Sequence, residues 1–270
     1  MLRNEGERLK RVVVCTPRKE YARVSNLEEH NIGELSDPKR AIEQHDRLRS
    51  KLREFGAEVI DIQELDKHPN SVFTRDTALC APQGYVKLRL GLNSRLGEGE
   101  WMAKTLEALG ESCVGEIKAP GTVEGGDVLL AGEVAFIGRS IRTNEEGIRQ
   151  LSALLGMMGY EIRVVQLPDT ILHLDKVLMA LGPKQLLYCT GLISKETIDG
   201  FEGIGISCGG DTTANIICLG ETELLINRSN STVIERLKAE DFKVHNLDLS
   251  EFVKGMGGPN CLIMPVERGA

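Results

Sequence analysis

No run of about 18 apolar residues occurs in this sequence, so no membrane-spanning helix is expected. A basic excess is missing too. Thirty-three Lys and Arg stand against 40 Asp and Glu, leaving a net charge of −7, which argues against a nucleic-acid-binding face. The acidic balance suits a cationic ligand. The seven cysteines are an odd number without a CxxC pair. Neither a disulfide framework nor a zinc ribbon is therefore expected, and a reducing cytoplasm fits. Gly125-Gly126 is not followed by Gly-Lys-Ser/Thr, so it is not a phosphate loop. The first residues, Met1 to Glu7, do not read as a signal peptide. No Pro- or Ser-rich linker interrupts the chain, so one domain over residues 1–270 is expected.

What is present is enough apolar material, 41% of residues, for a sizeable core. Arg11 to Cys15 is an apolar run closed by Thr16-Pro17, which predicts a buried strand. Ile42, His45, Leu48 and Leu52 recur at helical spacing, so a helix is predicted from Pro38 to Phe55, stopped by Gly56. The polar stretch from Tyr21 to Pro38 has no period, and loops of that length are often lids. A helix over Glu100–Leu109 and a strand over Cys113–Ala119 are predicted next. Asp127–Leu130 and Val134–Gly138 predict two strands around a turn, then a helix to Met158 with Thr143 as N-cap and Glu146 as its capping-box partner. Residues 215–247 repeat that order, and residues 177–206 repeat it with a weaker helix. A strand–strand–helix–strand unit thus recurs about every 45 residues, with room for five copies, which signals a stacked or circular repeat architecture.

Four polar clusters lie beside apolar strands, where an unpaired charge is costly. They are Phe73-Thr74-Arg75-Asp76, Glu124-Gly125-Gly126-Asp127, His173-Leu174-Asp175, and Gly258-Pro259-Asn260-Cys261. Cys261 reads as a nucleophile and His173 as its proton partner. A lone cysteine is more often a buried apolar filler, and a lone histidine a satisfied core group. It is their company that favours chemistry. Asp127 and Arg75 read as structural, and His30, His45, His68 and His245 show no partner pattern.

With Arg142-Thr143-Asn144 added, these motifs resemble, in order, the guanidino-group-modifying superfamily of arginine deiminases, dimethylarginine hydrolases and amidinotransferases. The resemblance covers nearly the whole chain and implies a five-bladed α/β propeller of pentein type. The chemistry accounts for the residue types. A guanidinium is planar, cationic and rich in directed N–H donors, and carboxylates in its plane hold it by paired hydrogen bonds. Asp76 and Asp175 are the candidates. Glu124 would orient His173 or take a third edge. The central carbon is a poor electrophile, so a thiolate attacks, and His173 protonates the departing nitrogen and then activates water. Arg89 and Arg142 match family positions for a substrate carboxylate. Asn70 stands where the methylarginine enzymes offer an aspartate.

The His-x-Asp form is similar to arginine deiminases, so deimination of arginine to citrulline and ammonia is the leading expectation. The short length, and the text at Ser71–Phe73, Gly121–Asp127 and Ser140–Gly147, favour the methylarginine hydrolases instead. Amidino transfer stays open, as does a non-catalytic ribosome-binding propeller. The expected partner is a small guanidino molecule, with no cofactor, metal, nucleic acid or membrane, and a homodimer is compatible.

Overall fold

The computed structural model describes residues 2–269. Five three-stranded sheets share one topology, in which an antiparallel hairpin is followed by a strand parallel to its second member. The second sheet has β3 (Ala78–Ala81), β4 (Gly84–Lys87), a helix over Glu98–Ala108 and β5 (Cys113–Glu116). The third has β6 (Val128–Ala131), β7 (Val134–Arg139), a helix over Glu145–Met157 and β8 (Glu161–Gln166). The fourth has β9 (Leu178–Gly182), β10 (Gln185–Cys189) and β11 (Glu202–Ile206). The fifth has β12 (Ile216–Gly220), β13 (Glu223–Asn227), a helix over Ser231–Lys238 and β14 (Lys243–Leu247).

The first sheet is made from both ends of the chain. β1 (Leu9–Cys15) runs parallel to β2 (Glu58–Ile62) across the helix Pro38–Glu54, and the last strand, β15 (Met264–Arg268), pairs antiparallel with β1. The sequence reading had no strand at 264–268, because a five-residue segment holding a proline and two charges has no alternation to reveal it. A strand antiparallel to β1 fills the place that β3, β6, β9 and β12 fill in the other sheets.

Burial grades across each sheet. β3, β6, β9 and β12 are buried throughout, whereas β2, β5 and β8 are partly exposed. Apolar clusters join neighbouring sheets, as where Leu129 and Phe136 share a core with Leu178 and Met179. The leading segment crosses the inner strands. Glu5 N–H donates to Leu130 O (2.7 Å), Asn4 Nδ2 to Pro183 O (2.9 Å), and Arg268 Nη1 to Glu7 O (2.7 Å). Arg75 donates to Glu5 Oε1 at 2.8 Å, both side chains being buried, which matches its structural reading.

Three local expectations need correction. The fourth unit has only turns where the weak helix was expected. The cap of the third helix is Asn144, whose Oδ1 accepts from Gly147 N–H at 2.8 Å, while Glu146 pairs with Arg149 and Gln150. Cys189 and Cys208 form a disulfide, with their Cα atoms 5.5 Å apart, one pair where no disulfide framework was expected. Nineteen residues and a whole parallel crossover separate them, so only the sheet brings them together. Among the described residues no helix is long and apolar enough to cross a membrane.

Candidate active site

The four polar clusters occupy equivalent places. Thr74–Asp76, Gly125–Asp127, Leu174–Lys176 and Asn260–Leu262 are 3-10 turns, each leading into an inner strand or the residues just before it. Asn215 lies just before β12, the corresponding point of the fifth sheet. Because the inner strands begin on one side of the molecule, residues as distant in the chain as Asn70 and Cys261 meet there.

Gly126 is required by that convergence. A Cβ on it would lie 2.7 Å from His173 Nδ1 and 3.0 Å from Asp76 Oδ1. Gly257 is as restricted, since its Cβ would fall 2.2 Å from the Phe73 ring. The glycines flanking the functional side chains thus let three turns pack at backbone distance.

His173 and Cys261 line the same small cavity, of about 30 Å³, together with Glu124, Asp76, Asn70 and Arg142. The His173 Nε2–H donates to Glu124 Oε2 at 2.7 Å. The other Glu124 oxygen accepts from Gly91 N–H at 3.0 Å, so the carboxylate is held from both sides. His173 Nδ1 is left facing the cavity, 3.9 Å from Asp76 Oδ1. Cys261 Sγ accepts from Gly258 N–H (3.3 Å) and Asn215 Nδ2 (3.4 Å), and lies 3.5 Å from Asp175 Oδ2. Asn215 is itself held by Asn260 N–H at 3.0 Å.

The two expected gripping carboxylates differ. Asp76 lines the cavity and accepts from Gly126 N–H (3.1 Å) and Arg95 Nη1 (2.6 Å). Asp175 does not line it. Its Oδ2 accepts from Asn260 Nδ2 at 3.1 Å beside the sulfur, and its buried Oδ1 has no partner. The two arginines differ as well. Arg142 lines the cavity with a buried, unpartnered Nε, whereas Arg89 reaches Gly121 O at 3.3 Å and lies outside it. Asn70 lines it and gives its Nδ2 to His30 O at 2.7 Å.

That bond belongs to the segment expected as a lid. His30 and Asn31 line the cavity. Ser94 Oγ donates to Glu29 O (2.9 Å), and Gly33 N–H to Lys254 O (2.8 Å). A space of about 30 Å³ holds one water, not an amino acid. A larger space of about 370 Å³ adjoins the far side of Gly257–Pro259 and does not contain Cys261.

Sequence reasoning missed Arg95, Asn215 and Lys176. Arg95 sat in a stretch read as a polar loop, and its only signal was Glu98 three residues on. It is buried, with Nε and Nη2 on Glu98 Oε2 at 2.9 and 2.7 Å and Nη1 4.0 Å from Glu124 Oε2. Lys176 Nζ donates to Met256 O at 3.0 Å.

The charges follow from burial against neighbours. Burial disfavours an imidazolium at His173, but Asp76 and the Glu124 hydrogen bond outweigh it and raise its pKa well above the ordinary value. Burial likewise opposes an ionised Glu124, and the imidazolium bond wins, lowering it. Cys261 is pushed up to about 12, by burial first and Asp175 next. The resting site therefore pairs an imidazolium with a carboxylate and keeps a neutral thiol. A bound cation would offset Asp76 and Asp175 and release the thiolate. Asp76, Glu124 and His173 also place one ligand atom each within 4.8 Å of one another, the only such grouping among the described residues. Arg95 and peptide N–H groups already engage both carboxylates, which suits a hydrogen-bonding cation better than a bare metal ion.

A thiol, an imidazole and an in-pocket carboxylate share one cavity, and comparison with known proteins narrows the chemistry. The family model described as N,N dimethylarginine dimethylhydrolase, eukaryotic, matches residues 19–268. The chain belongs to the dimethylarginine dimethylaminohydrolase family. It is a hydrolase acting on guanidino groups. The N(G),N(G)-dimethylarginine dimethylaminohydrolase of Pseudomonas aeruginosa is 31% identical over 253 residues, covering 94% of this chain and 98% of that one. That of Streptomyces coelicolor is 30% identical, covering 82% and 84%. A solved structure of a P. aeruginosa mutant with citrulline superposes with a TM-score of 0.83 at 29% identity, over 95% of this chain and 99% of that one. An arginine deiminase of Listeria monocytogenes is 26% identical, covering 76% of this chain and 62% of its own length. The leading expectation of a deiminase therefore gives way. It rested on Asp175 as a second grip, and Asp175 lies outside the cavity.

Proposed function

We propose that the protein hydrolyses an Nω-methylated arginine to citrulline and the corresponding methylamine. The observation that carries this is the cavity's carboxylate inventory. Of its two carboxylates, Glu124 is committed to His173, so Asp76 alone is free to grip one edge of a guanidinium. The remaining wall includes Phe73, Leu92, Leu172 and Met256, which suits a methylated nitrogen with fewer N–H donors. The relatives named for dimethylarginine support the same choice.

Asp76 holds the unsubstituted edge, and Arg142 meets the substrate carboxylate. Arg89 lies outside the closed cavity and would reach that carboxylate only with the 21–37 segment open. As the substrate cation binds, the Cys261 thiol gives up its proton to solvent; the thiolate sulfur then attacks the guanidinium carbon while His173 Nδ1–H protonates the departing amine. This leaves a thiouronium on sulfur and a neutral imidazole. Water then gives one proton to His173 Nδ1 and its oxygen to the carbon; the C–S bond breaks as the second water proton passes from that oxygen to the departing sulfur, and citrulline leaves the thiol and the imidazolium restored. Asn215 and Gly258 N–H stabilise the sulfur's negative charge on both occasions.

Arginine deimination is the second reading, favoured by the free Asp175 Oδ1 close to the sulfur, which could take a second N–H pair once the lid opens. The reading further includes one domain with its five sheets closed as a five-bladed propeller, and a cytoplasmic location. The test is a product assay on arginine, monomethylarginine and asymmetric dimethylarginine, scoring citrulline, ammonia and alkylamine. Alkylamine release with kcat/KM at least tenfold above that for arginine supports the first reading; preferential ammonia release from arginine overturns it.

A further inference from the structure

Lys176 joins the three segments that surround the sulfur of Cys261. It ends the turn that carries Asp175, and its N–H donates to His173 O at 3.2 Å. Its carbonyl accepts from Ala214 N–H at 2.7 Å, next to Asn215, which donates to Cys261 Sγ. Its Nζ donates to Met256 O at 3.0 Å, two residues before Gly258, whose N–H is the other donor to that sulfur. Among the described residues the ammonium makes no other hydrogen bond and no close ion pair. Asp175, its neighbour in the chain, lies 3.5 Å from the sulfur and keeps one buried oxygen without a partner. A thiolate formed beside that carboxylate needs a cation near it.

We propose that Lys176 is a positioning residue for Cys261: its ammonium anchors the Met256–Gly258 segment from behind and offsets Asp175, so that the sulfur can ionise when substrate binds. The inference rests on the reading of Cys261 as the nucleophile. Burial opposes an ammonium at Lys176, but Cys261, Asp175 and Asp76 outweigh it and raise its pKa. On the thiol, burial and then Asp175 push the pKa up, and Lys176 pulls against them. The other charged groups facing the sulfur are Asp76, Glu124, His173, Arg95 and Arg142, which line its cavity. Asp211 is exposed and shares the larger cavity with Lys176. Lys254, on the Met256 segment, is bonded to Glu251 at 2.7 Å. Lys176 is therefore the cation on the sulfur's far side from the substrate.

The test compares Lys176→Met and Lys176→Arg in the full chain. Methionine keeps the length of the side chain and removes the charge and the bond to Met256. Arginine keeps the charge, and the adjoining cavity of about 370 Å³ gives its larger head room. Alkylation by iodoacetamide at pH 8 is read on the peptide holding Cys261, because Cys113 is exposed. Lys176→Met should slow it about tenfold, and Lys176→Arg by no more than about threefold. In Lys176→Met kcat should fall about tenfold and the acidic limb of its pH profile move up by about one pH unit. KM should not rise, since a lost cation leaves the site more negative toward a cationic substrate. A folded Lys176→Met protein with equal or faster alkylation, or with an unmoved acidic limb, overturns the proposal. Equal slowing by both variants also overturns it, since the charge would then not be what acts. If Lys176→Met does not fold, Lys176→Gln is read in the same way. Should the wild type turn over no guanidino compound, the functional reading fails by itself; alkylation needs no substrate and still decides the role of Lys176.

Discussion

Replacing Glu124 by Gln changes one charge in the site while keeping the side chain's shape. The Gly91 N–H needs an oxygen, and His173 Nε2 needs an acceptor. An amide can meet only one of them with oxygen, so either the hydrogen bond from Gly91 N–H is lost or Nε2 must give up its proton. Leaving a buried partner unmet costs about 1–3 kcal/mol, which for a chain of this size lowers the melting temperature by roughly 2–4 °C per kcal/mol. The kinetic effect is larger. His173 is held protonated partly by Glu124, so the acid that delivers a proton to the leaving amine weakens, and kcat should fall about 10²–10⁴-fold. The sign of the pH effect follows. A raised imidazole pKa contributes stability and a proton that are fully present below about 6.5 and are lost as pH rises through the raised value. In Glu124→Gln the basic limb of both the rate profile and the melting profile should move down toward about 6.5. Steady-state citrulline formation from pH 5 to 10, with melting curves in the same buffers, reads both. A variant with kcat/KM within about fivefold of wild type and an unmoved basic limb would refute the reasoning.

Cys261→Ser should lose at least about 10³-fold in kcat, because the alcohol is a far poorer nucleophile, while its melting temperature stays close to wild type; retained turnover rejects the sulfur's role. Gly126→Ala would set a Cβ 2.7 Å from His173 Nδ1, so it should displace the imidazole and lower kcat/KM about tenfold or more at modest cost in stability, read by kinetics and circular dichroism. Asp175→Asn removes the nearest anion to the sulfur, so alkylation of Cys261 by iodoacetamide at pH 8 should speed up severalfold; a slower reaction contradicts its place in raising the thiol pKa. Ser94→Ala deletes one tie between the 91–96 turn and the 21–37 segment, and should alter KM more than kcat in steady-state assays.

The polar clusters were legible because charged residues beside apolar strands are costly unless they have work to do. Cys261, His173, Glu124, Asp76, Arg142 and Asn70 all line one cavity, as their types suggested. Asp175 and Arg89 have the same chemistry and lie outside it, since sequence gives a side chain's type but not the direction its turn points. Arg95 was invisible for the converse reason: its neighbours in sequence look solvated, and apart from Glu98 its acceptors lie in the 70–76 segment.

By itself the sequence determined the repeating hairpin–helix–strand unit, through the alternation of apolar runs with turn residues, and the chemical types gathered in its motifs. Tertiary structure alone decided that β15 completes the first sheet, that Cys189 meets Cys208, and that a buried arginine shares Asp76. Each of these joins residues distant along the chain. Local patterning carries no information about such pairs until the sheets pack and choose which charges and backbone groups must satisfy one another.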